Sequence, residues 1–323
     1  MPIRTNAPQR LRHKDLIDIA SLELEEIELI LENTKGFKDI VTRNVKKVPT
    51  LRGKTVVNLF FENSTRTRTS FELAARRLSA DVINFDVGTS SVKKGESLLD
   101  TVETIEALGA DFIIMRHSNS GSHQFLGRHI KASIVNAGDG AHAHPTQALL
   151  DCFTITENLG TLKDKHIIIV GDILHSRVAR SNIIAMTKLG ARVTLVGPKT
   201  LVPELFREAY NVSISTDLNK VLPSADVIYM LRIQLERQSK NLLPSLKEYK
   251  MLYGMSTERF ALASRKAIIL HPGPVNFGVE LTRDLVNNPR VKILDQVTNG
   301  LAVRMAVLYL LRGAEEHETN APA

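Results

Sequence analysis

The chain has 323 residues, 43% hydrophobic and 24% charged, which suits a folded globular protein of two ordinary domains and excludes a disordered one. No apolar run approaches the ~20 residues that span a bilayer. The basic N-terminal stretch MPIRTNAPQRLRHKD leads into no apolar, cleavable segment, and the lone Cys152 excludes an internal disulfide framework and suits a reducing cytosol. Lys plus Arg (42) against Asp plus Glu (35) leaves +7; with no Lys/Arg-rich run, 5% aromatic residues and no Trp, a small anionic substrate accounts for that excess as well as nucleic acid does.

In chain order, a helix is expected over Ser21–Lys38, with Leu24, Ile27, Leu31 and Thr34 on one face. Strands follow at Thr55–Phe61, Asp81–Asp86, Asp111–Arg116 and Ser133–Asn136, with helices between them at Thr65–Ser79, Ser97–Leu108 and Ser122–Ile130. Pro145 stands where a helix begins, and PTQALLDCFTITENLG runs to Gly160 as its C-cap. A second series has strands at His166–Val170, Arg192–Val196, Val212–Ser215, Asp226–Leu231 and Ala267–Leu270. Continuous apolar strands separated by helices indicate parallel sheets covered on both faces. The expectation is therefore an α/β protein of two doubly wound domains, residues 1–145 and 146–297, joined through the Pro145 helix. The closing pattern, residues 298–313, is apolar on nearly all sides, so it is expected to be buried against the first domain.

The chemistry gathers where these strands end. NLFFENSTRTRTSFELAARRL passes from a buried strand to a basic helix through Ser64, Thr65, Arg66, Thr67, Arg68, Thr69 and Ser70. Ligands of parallel α/β sheets bind at the C-terminal strand ends, where the next helix offers unpaired amides and the positive end of its dipole. There the hydroxyls add donors and Arg66 can grip an oxyanion with two N–H groups. A Ser or Thr N-cap before a solvated basic helix is the bland alternative; two arginines interleaved with the hydroxyls argue against it. Other strand ends repeat the theme: FIIMRHS brings Arg116 and His117, IVNAGDGAHAHPTQ brings His142 and His144, IIIVGDILHSR brings Arg177, VIYMLRIQLER brings Arg232, Gln234 and Arg237, and AIILHPGPVN brings His271, Gly273 and Pro274. Acidic groups are few, with Glu62, Asp139 and Asp172 the clearest. Many cationic donors without paired carboxylates suit a ligand bearing phosphate and carboxylates.

Three activities compete. A metal-dependent hydrolase would use His142-x-His144, but no H-x-x-E-H or carboxylate cluster joins the two. A nicotinamide dehydrogenase would use the turn after IIIVGD, which lacks G-x-G-x-x-G and carries Asp172 where pyrophosphate would sit. A transferase that holds a phosphorylated donor in one domain and an anionic acceptor in the other uses all the arginines.

FFENSTRTRTSF, SSVKKGES, MRH, HPTQALLD and HPGP, in that order over residues 12 to 312, resemble the motif set of the aspartate and ornithine carbamoyltransferases. HPGP and Arg232-x-Gln234 stand where ornithine enzymes carry His-Cys-Leu-Pro and Ser-Met-Gly, so the resemblance is to the aspartate side, with ornithine or another amino acid as the alternative acceptor. It implies transfer of the carbamoyl group of carbamoyl phosphate to L-aspartate, giving N-carbamoyl-L-aspartate and phosphate in pyrimidine synthesis, with no cofactor and no metal. By the family pattern Ser64, Thr65, Arg66, Thr67 and Arg116 hold the phosphate; Thr67, Arg116 and His144 polarise the carbamoyl oxygen; and Gln147 meets the carbamoyl amide. Gly273 and Pro274 carbonyls complete the donor site and orient the incoming amine, while Arg177, Arg232 and Gln234 clamp the aspartate carboxylates. Ser90 and Lys94, on GTSSVKKGES, reach into a neighbouring subunit's site, Lys94 towards both substrates, so the resemblance implies a cytoplasmic homotrimer with shared active sites and no nucleic-acid or membrane partner. It allows regulatory chains or a dihydroorotase as further partners. One departure is Phe277 in VNFGVE, where many relatives carry a basic residue.

Overall fold

The computed structural model describes residues 10–85, 96–233 and 245–318, with side chains to residue 312. It falls into two compact units, one reaching to Phe153 and taking in the chain from Thr298, the other Thr154–Val297. The division thus lies inside the Pro145 helix, eight residues after the expected boundary at 145.

The first unit begins with α1 (Leu24–Thr42), which starts later than Ser21 and continues past Lys38. Asp18 holds Ser21 in a turn through its backbone N–H, while Glu23 and Glu26 form the capping box that starts the helix. Then come β1 (Thr55–Phe60), α2 (Thr65–Arg77), β2 (Asp81–Phe85), α3 (Leu98–Ala107), β3 (Phe112–His117), α4 (Ser122–Gly127) and β4 (Ser133–Asp139). The helix α5 (Pro145–Leu159) follows. The four strands form a parallel sheet in the order β2-β1-β3-β4. Every residue of β4 is buried, whereas the edge strand β2 is largely exposed, as one-sided pairing allows.

The second unit carries β5 (His166–Val170), α6 (Arg177–Lys188), β6 (Arg192–Val196), α7 (Phe206–Tyr210), β7 (Ser213–Ser215), α8 (Leu218–Val221) and β8 (Val227–Met230), then α9 (Leu246–Tyr253), α10 (Thr257–Phe260) and β9 (Ile268–Leu270). Its sheet is also parallel, in the order β7-β6-β5-β8-β9. The fold is therefore α/β, with two parallel sheets flanked by helices.

The last helix, α11 (Ile293–Glu318), starts five residues before the expected Thr298. From Leu301 to Leu311 all but Tyr309 are buried. Tyr309 meets Phe37 of α1 edge-on at 5.6 Å, and Arg304 donates to Ser70 Oγ of α2 at 2.9 Å, so this stretch of α11 lies under both helices within the first unit. Among the described residues no helix is long and apolar enough to cross a membrane.

Candidate functional site

In the first unit the order β2-β1-β3-β4 places the topological switch between β1 and β3, the crevice where doubly wound sheets bind ligands. The C-terminal ends of these strands are pinned together, since the Phe61 amide donates to the Arg116 carbonyl at 2.9 Å. Beyond β1, Ser64, at φ −156° and ψ 82°, is the N-cap of α2 and makes no side-chain cap bond, and the first amides of the helix have no partner within it. Helical periodicity sorts the next residues: Thr67, Phe71, Ala74 and Ala75 are buried, while Thr65, Arg66 and Arg68 are exposed.

Arg116 closes β3. Its Nε donates to Glu62 Oε2 at 3.0 Å and its Nη1 to the Ala137 carbonyl at 3.2 Å, so one guanidinium joins the ends of β1, β3 and β4. His117 next to it packs edge-on against Phe61 at 4.8 Å and accepts from the Asn119 amide at 3.0 Å. Burial lowers its pKa below the ordinary imidazole value, so the ring is neutral near pH 7.

The loop from β4 to α5 is organised by Asp139, which is fully buried. It accepts from Asn136 Nδ2 (2.9 Å), Gly121 N (3.0 Å) and Ala143 N (3.0 Å), and pairs with His142 Nδ1 at 2.9 Å. Gly140 has φ +44°, and a Cβ there would lie 2.4 Å from Ser120 Oγ and 2.9 Å from the Ser118 carbonyl oxygen, so only glycine fits. The turn delivers His144, 4% exposed, to the start of α5, where its carbonyl accepts the Gln147 amide at 3.1 Å. His142 thus serves the turn, and among the described residues no group of three or more His, Cys, Asp or Glu is placed to hold a metal ion. Gln147, 8% exposed, points its Nε2 at Asp151 Oδ1, 3.0 Å away.

The Asp139 pKa is lower than usual: burial works against its charge, and the bonds from His142, Asn136 and Gly121 more than offset it. A carboxylate with a depressed native pKa contributes stability above its unfolded value, about 3.9, and loses it as pH falls through the native value. Unfolding free energy is therefore expected to drop on acidification below about pH 4, and Asp139→Asn should flatten that part of the profile. Denaturant melts at pH 3 to 6 check this, and parallel wild-type and variant profiles would assign the acid sensitivity to other carboxylates.

In the second unit the switch lies between β5 and β8. After β5, buried Asp172 accepts from the His175 amide at 3.2 Å and pairs with its Nδ1 at 2.9 Å, shaping the turn into α6. Ser176 Oγ caps α6 by accepting from Ala179 N at 3.1 Å. Arg177 is its first residue and is 2% exposed, a cation buried at the positive end of a helix dipole. After β8, Arg232 is half-buried, and the adjacent Ile233 amide donates to Glu280 Oε1 at 2.8 Å. The same carboxylate takes the Asn276 amide at 2.6 Å and Asn276 Nδ2 at 2.7 Å, tying the Arg232 segment to the chain after β9. There Gly273, at φ +64°, donates its N–H to His271 Nδ1 at 2.8 Å, which directs the Gly273–Pro274 segment. At Phe277, where the family pattern has a basic residue, the Arg283 guanidinium lies 5.0 Å over the ring.

The expected donor-site residues Ser64, Thr65, Arg66, Thr67, Arg116, His144 and Gln147 all lie in the first unit, and Arg177, Arg232, Gly273 and Pro274 in the second. Ser90, Lys94, Gln234 and Arg237 lie outside the described residues. Asp151 and Glu280 were not singled out by their motifs. For Asp151 a signal exists, its i,i+4 spacing from Gln147 on one helix; for Glu280, 47 residues from Ile233, there is none.

The family described as aspartate/ornithine carbamoyltransferase, carbamoyl-P binding domain, matches residues 14–157, and the corresponding Asp/Orn binding domain matches residues 163–311. The chain is 52% identical over 310 residues to the aspartate carbamoyltransferase catalytic subunit of Halothermothrix orenii, covering 96% of this chain and 99% of that protein. It is 54% identical over 300 residues to that of Desulfitobacterium hafniense, covering 93% and 96%. Among solved structures, the aspartate transcarbamoylase of Trypanosoma cruzi in complex with carbamoyl phosphate and aspartate superposes with a TM-score of 0.86 at 30% identity, covering 93% of this chain and 97% of that one. The same enzyme with N-(phosphonacetyl)-L-aspartic acid also gives 0.86.

Proposed function

The chain belongs to the aspartate/ornithine carbamoyltransferase family, and from that membership we propose that it is an aspartate carbamoyltransferase, making N-carbamoyl-L-aspartate and phosphate from carbamoyl phosphate and L-aspartate for pyrimidine synthesis. The observation that carries the reading is that each sheet presents its arginines at its switch point: Arg116, with Arg66 on the adjoining helix, in the first unit, and Arg177 with Arg232 in the second.

The neutral amine of aspartate attacks the carbamoyl carbon, a C–N bond forms, and charge builds on the carbonyl oxygen. Preorganised donors aimed at that oxygen are the largest single source of rate in such transfers. Thr67, Arg116 and His144 supply them, while Ser64, Thr65, Arg66 and the first amides of α2 hold the phosphate. The C–O bond to phosphate then breaks, and the departing phosphate takes the proton lost by the amine. Arg177, Arg232 and Gln234 hold the two carboxylates, and the Gly273 and Pro274 carbonyls aim the amine. Positioning of this kind is worth up to about 7–11 kcal/mol in well-oriented systems.

Phosphate release from carbamoyl phosphate, measured with L-aspartate or L-ornithine in the presence of EDTA, tests the reading. Turnover is expected with aspartate alone and unchanged by chelator. Release without any amine, abolished by EDTA, would return the protein to the hydrolase class.

The working assembly is a cytoplasmic homotrimer in which Ser90 and Lys94 of one chain complete the site of the next. Lys94→Ala and Arg66→Ala are then each nearly inactive, and hybrids of the two contain sites with both wild-type residues. Activity should reappear when the inactive variants are dissociated and reassembled together, but not when intact trimers are mixed. Verified hybrids without activity would refute sharing.

A further inference from the structure

The surroundings of Gln147 point to a device that selects the ligand, and it rests on the role given to Gln147 above: the geometry assigns Asp151 and Arg304 as positioning residues that decide which end of the Gln147 amide faces the donor. Gln147 Nε2 donates to Asp151 Oδ1 at 3.0 Å, and Asp151 is fully buried on the next turn of α5. An ionised carboxylate only accepts hydrogen bonds, so it takes the NH2 end of the amide and turns Oε1 away. The outward group is then an acceptor. It suits a ligand that offers N–H at that place, as a carbamoyl nitrogen does, and has nothing to give an acyl phosphate with a methyl group there.

A buried carboxylate is costly without a cation nearby. Arg304 supplies the cation. It is 4% exposed on α11, its Nη1 donates to Ser70 Oγ at 2.9 Å, and its guanidinium lies 4.9 Å over the Phe71 ring. The side chain runs past Gly300, where a Cβ would come within 2.7 Å of Arg304 Nη1 and 3.0 Å of Leu150 Cδ2, so the glycine gives the arginine its path beside α5. Burial lowers the Arg304 pKa to about 10 and the charge of Asp151 opposes that shift, so it remains a cation at neutral pH. One guanidinium thereby holds α2, whose first turn carries Ser64 to Thr67, and attracts the carboxylate that orients Gln147. A cation this deeply buried is costly as a purely structural element, because apolar residues of the same volume often serve stability as well or better.

The test uses the assembled enzyme with three probes: the KM of carbamoyl phosphate and the inhibition constants of acetyl phosphate and inorganic phosphate. Asp151→Asn keeps the shape but removes the charge and replaces one of the two acceptor oxygens with an NH2 group. It is expected to cut the preference for carbamoyl over acetyl phosphate by about 5- to 10-fold, one neutral hydrogen bond, with phosphate affinity unchanged. Arg304→Lys, which keeps charge but not the fork, should shift the preference in the same direction and replaces Asp151→Asn if that variant fails to assemble. Gln147→Ala should lose the preference too, and adding Asp151→Asn to it should change the ratio no further. Equal weakening of all three probes would reduce Asp151 and Arg304 to structural residues and overturn the inference. A Gln147→Ala enzyme that retained the preference would overturn the role of Gln147 itself; loss in Gln147→Ala with none in Asp151→Asn or Arg304→Lys would overturn only the present assignment.

Discussion

Replacing Arg232 with alanine should raise the aspartate requirement steeply while leaving carbamoyl phosphate binding nearly intact. Arg232 and Arg177 follow β8 and β5, the two strands that flank the switch point of the second sheet, where the proposed dicarboxylate acceptor would lie. Truncating one partner of a desolvated charge pair costs about 2–5 kcal/mol, roughly 30- to 5,000-fold at 1.36 kcal/mol per decade. The loss should fall on kcat/KM for aspartate. The same pair should favour aspartate as acceptor, because the side-chain ammonium of ornithine would face two like charges. Steady-state kinetics with each substrate varied in turn give the split. Equal loss for both substrates would mean that Arg232 supports the fold of the segment anchored by Glu280 and does not hold the acceptor.

Arg116→Ala is the second large effect and should appear in kcat. Removal of one oxyanion donor typically costs about 10²–10³ in kcat. A further loss arises because Glu62, which receives Arg116 Nε at 3.0 Å, loses that cationic partner beside the place proposed for phosphate. The two contributions separate in the double variant Arg116→Ala/Glu62→Gln, which should recover part of the carbamoyl phosphate KM and none of kcat. A loss in kcat below about tenfold would assign Arg116 to joining the strand ends of β1, β3 and β4 and to nothing chemical.

Much of the fold is legible in the amino-acid order because its signals are local. His166–Val170 and Arg192–Val196 are strands with the expected bounds, since a strand buried on both faces reads as an unbroken Val/Ile run. The ends of elements are less legible. Ser21 resembles an N-cap yet belongs to a turn, because Glu26 satisfies both the Glu23 amide (2.9 Å) and the Arg12 amide (2.7 Å) from its buried position. The strand β4 runs on to Asp139 past the expected Asn136, through a register shift against β3 that no propensity announces.

The candidate site divides along the same line. The groups proposed to face the ligand are written in short motifs, because each strand end presents a few consecutive residues: Ser64 to Thr67 at the end of β1, Arg116 at the end of β3, His144 to Gln147 at the start of α5. From these alone follow a donor-rich site, an anionic substrate and the family. The groups that hold those residues in place come from elsewhere in the chain. Arg304 reaches Ser70 across 234 positions and Glu280 reaches Ile233 across 47. Even His142, which a spacing rule would offer to a metal, is taken by Asp139 only once β4 and its turn have formed. Sequence alone determined which chemistry the strand ends offer, because that depends on side chains adjacent along one backbone. Only the tertiary structure decided which charges are buried and which of them face one another, since burial and pairing are properties of packed surfaces brought together from distant segments.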